Sequence, residues 1–226
     1  MCQHDDYEPQ HLNVFENCLN INEEWVGGRP KQWAEQVMDG TWDHLPDQPI
    51  SRQQLIELCS NPEYSEIDCI LSTMAWGGLR RDHGRILVNN LDLITATVES
   101  LRNGEINAST AYNDFFNVTD QTRIGIGPAF YTKIIFFNDP LHSHFIMDQW
   151  TAKSINLLTG IATIQIDGNS VSRTNGLEAY DYFCTQVRCL ARLFERTPEH
   201  IEMSLFSQGG RNPEIWRHHV MNHWSP

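Results

Sequence analysis

Apolar positions along this chain recur mostly at helical intervals. Ile67, Ile70, Leu71 and Met74 fall at i, i+3, i+4 and i+7, a stripe that predicts a buried helix over 62–75. Trp76-Gly77-Gly78 breaks it. Before it, Ser51 offers an N-cap for a short helix ending near Asn61. Helical patterns resume over about 83–90, 92–103 and 108–117, with Asn103-Gly104 as a C-cap signal. Residues 128–137 are almost wholly apolar and predict a central helix, ended by Asn138-Asp139-Pro140. The next helix runs from Asp148 to Leu158 and stops at Thr159-Gly160. Three more follow over 177–196, 199–207 and 213–223, the last with Asn212 as cap and Pro213 at its first position. One stretch departs from the pattern: 161–173 alternates around Asp167-Gly168-Asn169 and predicts a small β-hairpin. The expected fold class is mainly α.

Residues 1–50 are different in character. They carry ten acids against two bases, with Trp25, Trp33 and Trp42 among prolines and glycines. We expect an acidic N-terminal arm with one or two short helices, packed on a body formed by 51–226. The whole chain has a net charge of −13, which argues against a general nucleic-acid binder. The acidity is concentrated in the arm, however, and Arg80, Arg81 and Arg85 cluster, as do Arg188, Arg192 and Arg196. A local basic face and oriented amides can still grip a phosphate backbone. No apolar run approaches the roughly 18 residues that span a bilayer, and the acidic start is no signal peptide, so a cytoplasmic protein without a membrane partner is expected. The six cysteines show no paired metal spacing and read as reduced, mostly buried thiols.

The chemistry concentrates in Arg123-Ile124-Gly125-Ile126-Gly127-Pro128-Ala129-Phe130-Tyr131-Thr132-Lys133. Two glycines one residue apart permit a tight turn and close approach of another backbone. Pro128 can open a helix because the first helical amides are unpaired anyway. The amides around Gly125, Gly127 and Ala129 then stand at a positive helix end suited to a phosphate. A bare interhelical turn would have the same residues. Asp148 follows Gly125 by 23 residues, at the end of the apolar run Phe145-Ile146-Met147 and before Gln149-Trp150. It reads as a catalytic acid, as the cap of the following helix, or as both.

In that order and spacing the chain resembles the helix-hairpin-helix (HhH-GPD) DNA glycosylases, whose Gly-hydrophobic-Gly hairpin (about 119–137 here) is followed at a similar distance by an essential aspartate. Residues from about 62 to 158 carry the resemblance. The C-terminal helices, with Tyr182-Phe183-Cys184 and Leu205-Phe206-Ser207, are similar to a bacterial branch of 8-oxoguanine glycosylase-like proteins, and some anti-phage glycosylases look similar too. The resemblance implies a two-lobed helical fold. It also implies excision of a modified base from double-stranded DNA by hydrolysis of the N-glycosidic bond. The four-cysteine iron–sulfur loop of some members is absent, so no cofactor or metal is expected, and no obligate protein partner is evident. Asp148 would stabilise charge on the sugar and activate water. Trp76, at the end of the helix that leads to the DNA-wedging loop, and Arg80 would contact DNA with Gly125, Gly127 and Ala129. Lys133, Trp150, Phe130 and Phe137 would line the base pocket.

The chain departs from the family in one telling place. Bifunctional members carry a Schiff-base lysine two residues after the second glycine, where Ala129 stands. Lys133 lies one turn further on roughly the same face. It can read the base, attack the sugar, or simply extend its stem to solvent. With Ala129 in the usual position, a monofunctional enzyme that leaves an abasic site is expected. Two bases are candidates: 8-oxoguanine, for repair, and a hypermodified phage cytosine such as glucosylated hydroxymethylcytosine, for defence, which is favoured. A DNA-binding module that lost its chemistry is the rival. His219 and His223 have the i, i+4 spacing of zinc ligands, beside His218, but no companion acid or cysteine, so surface histidines are expected. His142 and His144 either contact phosphate or form a polar loop.

Overall fold

The computed structural model describes residues 3–19, 25–208 and 213–225. The described residues form twelve α-helices, one short 3-10 turn at His4–Asp6 and one two-stranded sheet, so the fold is mainly α as the pattern predicts. The chain divides into two compact units, Glu24–His144 and a second made of Met1–Glu23 with Phe145–Pro226. The first 50 residues therefore contribute to both. Trp33 and Trp42 are buried in the unit Glu24–His144, while Trp25 is exposed.

The unit Glu24–His144 contains α2 (Pro30–Val37), α3 (Arg52–Ser60), α4 (Glu66–Trp76), α5 (Arg81–Val88), α6 (Asp92–Arg102), α7 (Ala108–Gln121) and α8 (Pro128–Asn138). α8 is its axis. It packs against α3, α4, α6 and α7, and Tyr131 and Ile134 to Phe137 are fully enclosed. Tyr131 lies edge-on to Tyr112 and stacked on Phe115, with centroids 5.1 and 5.6 Å away. An all-round apolar helix has no solvated face, and a central position is the consequence. α4 begins at Glu66, later than the periodicity suggests, because Ser65 caps it: its hydroxyl accepts from the Asp68 amide and the Asp68 carboxylate accepts from the Ser65 amide. The same reciprocal arrangement joins Ser51 and Gln54 at the start of α3. α7 runs one turn past the expected end.

The other unit holds α1 (Pro9–Glu16), α9 (Gln149–Thr159), β1 (Ile166–Asp167), β2 (Ser170–Val171), α10 (Leu177–Leu193), α11 (Pro198–Phe206) and α12 (Ile215–His223). Here α9 is the axis, packed by α1, α10, α11, α12 and both strands. β1 and β2 pair antiparallel, Ile166 with Val171 and Asp167 with Ser170, and Gly168 turns the hairpin at φ 57°. Pro213, expected at the first position of the last helix, instead precedes α12, whose cap is Glu214; Asn212 lies outside the described residues. α10 ends earlier than its apolar pattern suggests, and Glu195 adopts φ 53° just beyond it.

The cysteine expectation needs correction. Cys18, Cys59, Cys69 and Cys184 are free, but Cys189 is disulfide-bonded. No helix among the described residues is long and apolar enough to cross a membrane.

Candidate active site

The glycine hairpin joins α7 to α8. Ile124 and Ile126 are buried and anchor it, while Gly125 turns between them at φ 84°. A Cβ on Gly125 would stand 2.4 Å from the His83 carbonyl oxygen of α5. The loop backbone thus lies directly on a neighbouring helix, an approach only glycine allows. Gly127 caps α8 in ordinary extended conformation (φ −140°), and its carbonyl accepts from the amides of Phe130 and Tyr131. Among the described residues, the amides of Gly125, Gly127 and Ala129 donate to no acceptor. They are free donors at the positive end of the unit's central helix.

The end of α4 converges on the same helix end. A Cβ on Gly77, just after α4, would meet the Lys133 stem at 2.9 Å and the Phe130 ring at 3.3 Å. Lys133 is buried, donates from Nζ to the Ala129 carbonyl at 2.8 Å, and lies 5.2 Å from the Phe130 centroid. Its ammonium therefore ends beside position 129. Trp76 is enclosed: its ring meets Phe137 edge-on at 4.9 Å, and the backbone of Gly27 covers it so closely that a Cβ there would fall 2.5 Å from the indole. Phe137 is equally enclosed. Arg80 is open to solvent and pairs with Asp82 at 2.6 Å, an exposed pair that contributes little and can exchange partners.

In the other unit Asp148 caps the central helix α9. One carboxylate oxygen, Oδ1, accepts from the Trp150 amide at 2.8 Å and the Thr151 amide at 3.0 Å. The Thr151 hydroxyl in turn accepts from the Asp148 amide at 2.9 Å and donates to Ile146. Oδ2 has no hydrogen-bond partner among the described residues. The cap fixes the rotamer and leaves one oxygen unused. Asp148 is 8% exposed.

Around Trp150 the structure gathers two cations that sequence reasoning did not single out. The Arg217 guanidinium lies 3.9 Å from the indole centroid and the Lys153 Nζ 4.8 Å from it. Arg217 also holds the end of α11, donating to the carbonyls of Phe206 and Ser207. Burial lowers its pKa to about 10, against the opposing pull of the Asp148 and Glu214 charges. Burial and the Arg217 charge lower Lys153 as well. Lys153 carried a readable signal, a lone lysine in an otherwise apolar or neutral helix; Arg217 carried none.

Several histidines make contacts within the fold. His142 contacts the Phe136 carbonyl, and His144 bonds to Ser109 and Ser143. His11 Nδ1 meets His219 Nε2 at 2.9 Å, and His219 stacks on His223 at 4.1 Å. Among the described residues, no group of three His, Cys, Asp or Glu side chains could hold a metal ion.

A profile of the family described as putative 8-oxoguanine DNA glycosylase OGG-like protein matches residues 19–206. The chain belongs to this family. The match includes the hairpin, Lys133 and Asp148, and ends before α12 and Arg217. The family's description points to a DNA glycosylase, which implies DNA as the substrate. No curated protein and no solved structure matches the chain.

Proposed function

We propose that this OGG-like protein excises a modified base from double-stranded DNA by hydrolysing its N-glycosidic bond and leaves an abasic site. The observation that carries this reading is the Asp148 carboxylate, with one oxygen locked into the α9 cap and the other unpartnered. The target base cannot be reached inside a duplex and must be flipped out. The Gly125, Gly127 and Ala129 amides hold a backbone phosphate, and Arg80 exchanges Asp82 for a second. Phe130, Lys133 and Trp150 handle the base, with Trp76 and Phe137 as the packed wall behind the wedge loop.

As the C1′–N bond breaks, its electron pair leaves with the base and positive charge develops on the sugar. Asp148 stabilises that charge and orients water; the water oxygen bonds to C1′, and its proton passes through the carboxylate to the departing base. A positioned carboxylate in this role contributes roughly 10²–10⁴-fold in rate. Lys133 reads the base and does not form a Schiff base, so the enzyme is monofunctional.

The base we favour is a hypermodified cytosine such as glucosylated hydroxymethylcytosine, in a cytoplasmic defence against phage DNA. Ala129 at the usual lysine position and the acidic net charge, which weakens grip on ordinary DNA, support this. The family description favours 8-oxoguanine as the second reading. Incubation with DNAs carrying each modified base, and with phage genomes, followed by alkali to cut abasic sites, tests both. Cutting at neither base, with Asp148→Asn indistinguishable from wild type in every DNA-dependent property, would leave a binding module and refute the enzyme.

A further inference from the structure

α9 buries a charge that the mechanism above leaves idle. Lys153 keeps 8% of its surface. Among the described residues its ammonium meets no carboxylate at salt-bridge distance and no hydrogen-bond acceptor. What it meets is the Trp150 ring, at 4.8 Å, beside the Arg217 guanidinium at 3.9 Å from the same ring. Two like charges over one indole repel each other. The carboxylates Asp148 and Glu214 act on Arg217, while among the described residues the charge acting on Lys153 is that of Arg217. Glu214 is further committed to the Ser207 hydroxyl and the Gln208 amide.

An ammonium with its stem enclosed, no counterion and its Nζ still open to solvent is placed to take a negative charge from outside. The indole face stabilises the ammonium without neutralising it. Arg217 is held in place by the α11 carbonyls, so the pair presents a rigid doubly positive spot. DNA offers one kind of anion to meet it, the phosphodiester. In a chain of net charge −13, long-range attraction to DNA is weak, and local seats of this kind must supply the grip.

We propose that Lys153, held against Trp150 beside Arg217, is a phosphate seat that binds a phosphodiester of the DNA strand whose nucleotide faces Asp148. This rests on the glycosylase reading. Lys153 is the binding group, and Arg217 is a positioning residue that adds charge.

The test measures binding of the full chain to a duplex with a tetrahydrofuran abasic-site analogue, which needs no knowledge of the excised base, over a series of salt concentrations. Lys153→Met should bind about tenfold more weakly, with the slope of log Kobs against log salt shallower by about one. Lys153→Arg should keep the wild-type slope. Lys153→Met should melt at or above the wild-type temperature, because an apolar isostere removes a buried charge. Unchanged affinity and slope in Lys153→Met would overturn this inference and leave the glycosylase reading intact. So would a variant that loses excision while binding with the wild-type slope. Wild type that binds no DNA at all would overturn both.

Discussion

Replacing Gly125 with alanine tests whether the hairpin is built as described. The residue sits at φ 84°, where an L side chain costs about 1–2 kcal/mol. The new Cβ would stand 2.4 Å from the His83 carbonyl oxygen, 3.1 Å from the Ile86 Cβ and 3.2 Å from the Leu87 nitrogen. The first contact is intolerable and its partner is helix backbone, so the loop or α5 must shift, at a further ~1–3 kcal/mol. The sum is roughly 2–5 kcal/mol, which for a chain of this size lowers Tm by roughly 5–15 °C. Gly127→Ala is the control. Its φ of −140° suits any residue, so stability should change by less than about 1 kcal/mol, while the added methyl crowds the amide cradle and weakens DNA binding. Thermal and denaturant unfolding of both variants, with binding to a nicked or abasic duplex, makes the comparison. Gly125→Ala melting within about 2 °C of wild type would refute the close approach. Gly127→Ala binding DNA as wild type does would refute the phosphate cradle.

Other outcomes follow from the same geometry. Asp148→Asn should lose excision by roughly 10²–10⁴-fold yet keep its melting temperature, because asparagine caps helices as well as aspartate does; activity within twofold of wild type would end the catalytic assignment. Borohydride should trap no covalent DNA complex with wild type, and a trapped complex that vanishes in Lys133→Ala would make the enzyme bifunctional. His219 should make stability fall in mild acid. Burial, then the charges of His223 and His11, lower its pKa from 6.5 to about 4, and Glu8 acts on the His11 side of the cluster in the opposite sense. The native state thus binds fewer protons than the unfolded one, so stability is intact above about 6.5 and declines as pH falls toward 4. The ring is half-buried, so solvent screening holds the loss to the order of 1 kcal/mol; equal Tm shifts between pH 7.5 and 5 for wild type and His219→Gln would contradict it.

Much of this was legible from local pattern. The stripe Ile67-Ile70-Leu71-Met74 and the apolar run 128–137 gave the buried helices, because helical periodicity is a property of adjacent turns. Ser51 and Asp148 announced their caps for the same local reason. One difference comes from a local competition. Ser65 and its reciprocal bond with Asp68 start α4 four residues later than the pattern suggests. Arg217 was invisible because its meaning comes from Trp150, a residue distant in sequence. Lys153 was legible as a lone lysine in an otherwise apolar or neutral helix.

The division of Asp148 between two duties has a practical corollary. Scaffold and chemistry draw on different oxygens of one side chain, so the isosteric amide silences the second without disturbing the first. On the proposal above, that single-atom exchange yields an inert twin that still docks on its target, a bait with which the unknown nucleobase can be fished from whole genomes.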